Sequence, residues 1–185
     1  AAVTAAAKRF KADTIVVGPP REGRGWIGGT SERISRHANV PVLVARPVGA
    51  GPVVAATDLS NPAGPAVRAA AQLATALGRK LNILHVVDVG TELAVLSAAS
   101  AFSPSAAGAA MRMKDLIESA RALLDSSATQ IAPDAEREVL EGSAGHTLIR
   151  RARELDAALI GSVAEEGLAE ATGPVLIVRQ AAGDD

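Results

Sequence analysis

A glycine-rich stretch near the start of the chain has the residue types of a phosphate-binding loop. It reads "VVGPPREGRGWIGGTSER" and follows an apolar run that ends at Val17. Glycines let the backbone approach a ligand closely, arginines donate paired hydrogen bonds to phosphate, and hydroxyl groups at a helix start can reach a phosphate oxygen. The residues concerned are Gly18, Arg21, Gly23, Arg24, Gly28, Gly29, Thr30 and Ser31. This pattern predicts a phosphate cradle, and a flexible connector is the alternative because glycine is common in loops.

The chain carries this loop once, although the sequence around it occurs twice. Residues 12–47 ("ADTIVVG" through "PVLVARP") are similar to residues 155–180 ("LDAALIG" through "PVLIVRQ"). When Asp13 is aligned with Asp156 and Pro41 with Pro174, the second copy is ten residues shorter, opposite "PPREGRGWIG". The cradle is therefore expected in the first copy and not in the second.

The elements that must position these residues alternate between strands and helices. Apolar runs and helical spacing predict, from residue 51 onward, strands at 52–58, 80–89, 136–142, 157–161 and 174–179, and helices at 61–78, 112–131, 143–156 and 163–172. Residues 91–111 are rich in Ala and Ser and predict a mobile connection whose first part could be helical. Such alternation predicts an α/β fold with a doubly wound, open, parallel five-stranded sheet.

The first 47 residues repeat only the closing strand-helix-strand part of that unit. Their pattern predicts a helix over about 2–11, strands at 14–18 and 41–46, and a helix at 31–38. The sequence opens without Met on helix-favouring residues, so we expect the first domain to be incomplete in this chain. Two strands cannot bury both of their faces alone, and this part must pack on the following domain, on an absent half or on another chain.

Composition excludes several classes of function. Aromatic residues make up 2% of the chain, Tyr is absent, and the formal net charge is −1, which argues against binding of nucleic acid. No cysteine is present, and His37, His85 and His146 are too scattered to predict a metal site. No apolar run is long enough to span a membrane and no signal peptide is visible, so a cytoplasmic protein is expected.

Charge is distributed unevenly along the chain, because residues 1–47 hold eight Lys or Arg against three Asp or Glu.

Three segments of the chain together resemble the universal stress protein family. They are "PVVAATDLSNPAGPAVRAAAQLATALGRKLNILHVVD", "EREVLEGSAGHTLIRRARELDAALIGS" and "PVLIVR", and residues 12–47 resemble the last third of the same domain. The resemblance implies a Rossmann-like fold of the type that binds adenine nucleotides. It divides the chain into the end of a first domain (1–47), a linker (48–50), a complete second domain (51–180) and a tail (181–185).

The resemblance also implies an ATP site, with Mg, at the carboxyl ends of the strands. Asp58 matches an Asp that ends the first strand of the family's domain, and Val86 lies where a contact from the second strand is expected. The glycine loop matches the family's spacing poorly in the first copy, and in the second it is reduced to Gly161 and Ser162 before two glutamates. ATP binding by residues 51–180 is therefore expected to be weak or absent. The alternative role of Asp58, or of Ser60, is to cap the following helix.

Two functions remain open at this point. The first is a regulatory stress-response protein that acts by dimerisation and binds ATP through loop 18–31; the second is a protein-interaction module that needs no nucleotide. No enzyme is predicted, because no catalytic triad, paired carboxylates or metal cluster is visible, although slow ATP hydrolysis stays open. Residues 41–46 and 174–179 are predicted to pair as antiparallel strands, within a tandem chain or across a homodimer.

Overall fold

Seven strands of the described residues form a single sheet. The computed structural model describes residues 2–19, 30–60, 63–88, 90, 106–161 and 171–178. The strands are β1 (Ile15–Val17), β2 (Val42–Val44), β3 (Val53–Ala56), β4 (Leu81–Val87), β5 (Glu136–Glu141), β6 (Ala158–Gly161) and β7 (Val175–Ile177). Their order across the sheet is β1-β2-β7-β6-β3-β4-β5. Strands β3 to β7 are parallel, so the predicted five-stranded parallel sheet is confirmed.

Five helices of the described residues connect or flank these strands. They are α1 (Ala2–Phe10), α2 (Thr30–His37), α3 (Gly64–Leu77), α4 (Ala106–Ile131) and α5 (Ala144–Glu154). Helix α3 ends at Leu77. The next residue, Gly78, has a left-handed φ of 61° and donates its N–H to carbonyls of the last turn, a conformation that favours glycine. The predicted helix at 163–172 lies outside the described residues except for 171 and 172, which are not helical.

Two helix starts differ from the sequence prediction. Helix α4 begins at Ala106 instead of residue 112, because four of the residues 106–110 are Ala, which favours helix. The end of the predicted mobile connection is therefore helical, whereas 91–105 lie outside the described residues. Helix α3 begins at Gly64 with Pro65 in its first turn, and residues 61 and 62, where the predicted helix begins, lie outside the described residues.

Side chains of alternate strand residues bury into two cores, one on each face of the sheet. Helices α3 and α4 cover one face, where Val53, Ala55 and Ile83 are buried. Helix α5 covers the other face, where Val54 and Leu84 are buried. Helices on both faces make the fold doubly wound, as predicted. A third, smaller cluster joins α2 to β1 and β2.

The two copies of the repeat meet through β2 and β7. These strands run antiparallel, with Val42 opposite Ile177 and Val44 opposite Val175. All four side chains are at most 1% exposed. Val44 belongs to the same core as β3 and α5, so the N-terminal segment shares a core with the rest of the chain.

A matching turn leads into the corresponding strands β1 and β6, but its register corrects the alignment made from sequence. Lys11 and Asp156 both adopt a left-handed conformation, with φ of 50° and 51°. The next residue in each copy, Ala12 and Ala157, donates its N–H to a carbonyl five residues earlier at 2.9 Å. In the turn, Lys11 and not Asp13 is therefore the counterpart of Asp156. The path from turn to strand is one residue longer in the first copy, because Ile15 and Leu159 hold equivalent strand positions and donate to Pro41 and Pro174. Identity of side chains misled the alignment because the backbone conformation, not the aspartate, is what the two turns share.

Candidate functional site

The carboxyl ends of β3 and β6 flank the point where the strand order of the parallel sheet reverses. In such sheets the chain leaves these two strands toward opposite faces, which opens a crevice where ligands bind. Asp58 lies two residues beyond the end of β3, Val86 lies near the end of β4, and Gly161 ends β6. The structure thus brings these three predicted residues to one edge of the sheet, called here the Asp58 edge.

Asp58 holds the turn that follows β3. Its Oδ1 accepts hydrogen bonds from the Ser60 backbone N–H at 2.9 Å and from the Ser60 hydroxyl at 2.6 Å. Burial acts to raise the pKa of this carboxyl, but the bonds from Ser60 and the nearby His85 outweigh it and lower the pKa below 3.8. Asp58 is therefore ionised at neutral pH, with one oxygen engaged in the turn.

The capping alternative for Asp58 is not what the structure has. The N-cap residue of α3 is Ala63, which makes no side-chain cap bond. Asp58 instead forms a local turn with Ser60, and Ser60 accepts the N–H of Ala63 through its backbone carbonyl at 3.0 Å. Aspartate often bonds to a backbone N–H two residues ahead, which competes with helix capping.

His85 joins this edge, although its position in the sequence did not single it out. Its Nδ1–H donates to the backbone carbonyl of Thr57 at 2.9 Å, because a carbonyl can only accept. In the neutral ring this bond leaves Nε2 as an acceptor. The signal that could have found His85 is its place next to Val86, on the strand beside β3.

Gly161 has a structural reason to be glycine. A Cβ added there would lie 2.9 Å from the Cβ of Ala56 on the neighbouring strand, which is closer than such atoms approach. The residue therefore allows β3 and β6 to pack closely, with or without a ligand. Ser162, its predicted partner, lies outside the described residues.

The described part of the predicted cradle lies at the end of β1. Gly18 follows that strand, Thr30 begins α2, and the Ser31 hydroxyl donates to the Gly18 carbonyl at 3.3 Å. A Cβ at Gly18 would meet no atom within 4 Å, so packing does not require glycine there. The remaining predicted cradle residues, Arg21, Gly23, Arg24, Gly28 and Gly29, lie outside the described residues.

Gly18, at the start of the predicted cradle, and the Asp58 edge lie at opposite ends of the strands. Because β2 is antiparallel to β7, the carboxyl end of β1 is level with the amino ends of β7 and β3. Four strand spacings and about five residues of rise separate Gly18 from Asp58, which amounts to roughly 25 Å. Gly18 and Asp58 therefore cannot contact one small ligand.

A cavity of about 300 Å³ opens beside the turn after β3. It lies between α3 and α4, and its polar lining includes Thr57, Ser60, Arg68, Ser127 and Gln130. This volume is at the lower end of the range for small-molecule sites.

Among the described residues no group of three metal-ligating side chains occurs. Of the helices formed by those residues, none combines the length and apolar character needed to cross a membrane.

Comparison with known proteins gives one family. The model of the universal stress protein family matches residues 50–160, which is more than half of the chain. No curated protein gave a match.

Solved structures of universal stress proteins share the fold. A putative universal stress protein from Pseudomonas aeruginosa UCBPP-PA14 matches 95% of this chain with TM-score 0.62 and 17% identity, and this chain covers 66% of it. One from Archaeoglobus fulgidus DSM 4304 matches 99% of this chain with TM-score 0.59 and 17% identity, again over 66% of its own length. A family protein from Burkholderia pseudomallei matches 70% of this chain over 96% of its own, with TM-score 0.52 and 24% identity. The chain thus spans just under two thirds of the first two relatives.

Proposed function

Because this chain belongs to the universal stress protein family, we propose that it is a regulatory protein that binds an adenine nucleotide through loop 18–31 and acts by association of its repeats. The observation that carries the nucleotide part is the bond from Ser31 to Gly18, which holds the two ends of the loop together. The first N–H groups of α2 lie at the same place, and such groups attract phosphate. Arg21 and Arg24 then supply the charge within the loop.

The same proposal assigns little nucleotide binding to residues 51–180. Gly161 is engaged in packing against Ala56, and one oxygen of Asp58 is engaged by Ser60. The described ends of loop 18–31 lie too far from Asp58 to complete a site at that edge. These observations favour the second candidate, an interaction module without nucleotide, for this part of the chain.

Association is proposed to occur within the chain. The pairing of β2 with β7 gives each of these strands a neighbour on both sides. A homodimer through residues 41–46 and 174–179 would have to break this pairing, so the tandem arrangement is the form that the geometry favours. The proposal assigns no catalytic residue.

The test is a calorimetric titration of the full chain with MgATP. Replacing both Arg21 and Arg24 with Ala removes two charged donors, each worth about 1.5–3 kcal/mol, so affinity should fall at least a hundredfold. The control replaces Arg121 and Arg150 with Ala, which removes the same charge from exposed positions away from the loop and should leave affinity within threefold. If the unaltered chain binds no MgATP, the nucleotide proposal is wrong and the interaction module remains. Release of ADP during the titration would reveal hydrolysis.

A further inference from the structure

A second cavity opens at the amino ends of β3, β4 and β5, at the opposite end of these strands from the Asp58 edge. Its volume is about 390 Å³, which is in the lower part of the range for small-molecule sites. One wall, called here the linker wall, consists of residues 50–52, and another is the turn 78–80 between α3 and β4. Asn82, Glu136 and Leu155 also line the cavity.

Asp156 holds the linker wall in place. Its Oδ2 accepts the Ala50 N–H at 2.6 Å, and its backbone carbonyl accepts the Gly51 N–H at 3.1 Å. A Cβ at Gly51 would collide with the Leu155 carbonyl, so only glycine allows this close approach. From the other side Arg79 donates its Nη1–H to the Gly51 carbonyl at 3.1 Å. The linker wall is therefore fixed by bonds that do not depend on a ligand.

Asn82 is a polar lining residue whose bonding the fold leaves incomplete. It is 7% exposed, although asparagine is mostly found at the surface. Its amide nitrogen lies toward the carboxylate of Glu136 on the neighbouring strand β5, whereas its Oδ1 has no hydrogen-bond partner among the described residues. A buried acceptor without a partner is destabilising. A ligand N–H would remove that penalty once the amide turns Oδ1 toward the cavity about its broad χ2 torsion.

Charges of both signs lie beside Asn82. Lys80 donates to the Glu136 Oε1 at 3.0 Å. This bond and the charge of Lys80, with a smaller contribution from the Asn82 amide, hold the pKa of Glu136 below its ordinary value, so the carboxylate is ionised at neutral pH. Arg79 gives one N–H to Gly51, and a guanidinium has five. The cavity thus offers acceptors at Asn82 and Glu136 close to cationic donors at Arg79 and Lys80.

We propose that this cavity binds a free amino acid with a small apolar side chain. The ammonium group of the ligand donates to Asn82 and Glu136, and its carboxylate accepts from Arg79. The apolar side chain lies against Pro52 and Leu155. Because the linker wall takes part, the bound amino acid ties the junction of the two copies to the second domain. The described lining residues lie outside loop 18–31, so a failure of MgATP to bind would leave this site standing.

A ligand with a single charge fits the cavity less well. A plain anion would pair with Arg79 but would leave the Asn82 Oδ1 without a donor and would be repelled by Glu136. A plain cation would pair with Glu136 but would be repelled by Arg79 and Lys80. A zwitterion satisfies both sets of groups at once.

The test titrates the ¹⁵N-labelled full chain with L-valine and follows NMR signals of the Asn82 side-chain amide and of the Gly51 and Arg79 backbone amides. The chain has three asparagines, so the side-chain signal of Asn82 can be assigned by substitution. We expect saturable shifts of these signals and none for the exposed Asn39. Two matched ligands are the controls. N,N,N-trimethyl-L-valine keeps both charges but has no N–H, and isovalerate keeps only the carboxylate; each should bind roughly tenfold or more weakly.

Two variants test the lining residues by calorimetry. Asn82→Leu removes the unpaired acceptor at nearly constant size, and Arg79→Gln removes the charge, so each should weaken L-valine binding roughly tenfold or more. Arg121→Gln removes the same charge from an exposed position on α4 and should leave the affinity unchanged. Should Asn82→Leu fail to fold, Arg79→Gln and the two matched ligands decide. Lack of saturable binding at roughly 10 mM L-valine, equal binding of isovalerate, or L-valine binding that survives both substitutions would overturn the proposal.

Discussion

The shared core between the two copies predicts that the chain unfolds as one unit, and Val44 is the residue that tests this. Val44 is 0% exposed and lies on β2, in the N-terminal segment, yet its neighbours in the core include Val54, Leu159 and Ile177. Replacing Val44 with Ala removes two methyl groups from this core. At ~0.8 kcal/mol for each group, the lost burial is about 1.6 kcal/mol, and the cavity left behind raises the cost to about 2 kcal/mol.

The matched control is Val16→Ala. It is the same substitution in the adjoining strand of the same segment, but Val16 is 62% exposed. The substitution Val16→Ala should change the free energy of unfolding by less than about 0.5 kcal/mol. For a chain of this length, the difference between the two variants corresponds to a shift of about 4–8 °C in melting temperature.

The assay is urea unfolding followed by two signals. Far-UV circular dichroism reports on the whole chain, and the fluorescence of Trp26, the single tryptophan, reports on the first 47 residues. If one core joins the copies, Val44→Ala moves both transitions together to lower urea. A shift of the fluorescence transition alone, with the dichroism transition unchanged, would refute the shared core and show two independent units.

Three further predictions concern single residues. Gly161→Ala should destabilise the protein by about 1–3 kcal/mol, because the new Cβ would meet the Cβ of Ala56 at 2.9 Å. Gly18→Ala should leave the melting temperature nearly unchanged, because no atom lies within 4 Å of the new Cβ. Equal melting temperatures for the two variants would contradict this prediction. Gly78→Ala should lower the free energy of unfolding by about 1 kcal/mol, because φ is 61° at this residue. Gly64→Ala, at the start of the same helix, should not lower it, and chemical denaturation of the two variants measures the difference. The pKa of Asp58 is lowered by folding, so its contribution to stability is present above its ordinary value of 3.8 and is lost as pH falls below it. The difference in urea midpoint between the unaltered chain and Asp58→Ala should therefore shrink from pH 6 to pH 3, and a constant difference would argue against the turn with Ser60 as its source.

Much of the fold could be predicted from the sequence because strand and helix patterns are local. The apolar runs around Val53 and Leu81 have strand character by themselves, and Gly78 marks a helix end by its conformational freedom. The start of α4 at Ala106 was missed, because Ala and Ser occur both in connections and in helices, and only packing decides between them.

The candidate site was less accessible to prediction, because it depends on which way strands run. Nothing local to Gly18 or Asp58 indicates that they lie at opposite ends of the sheet; that follows from the antiparallel contact of β2 with β7. The bond from His85 to Thr57 joins residues 28 positions apart and likewise depends on strand pairing. The turn at Asp58 was mistaken for a possible cap because both uses need the same residue type at nearly the same place.

Hydrogen exchange followed by mass spectrometry, with and without saturating MgATP, shows which copy of the repeat holds the nucleotide. We expect slower exchange in peptides that cover residues 18–31 and no change in peptides that cover 57–60 and 85–88. Protection of the Asp58 edge, with loop 18–31 unchanged, would contradict the assignment of the nucleotide to the first copy.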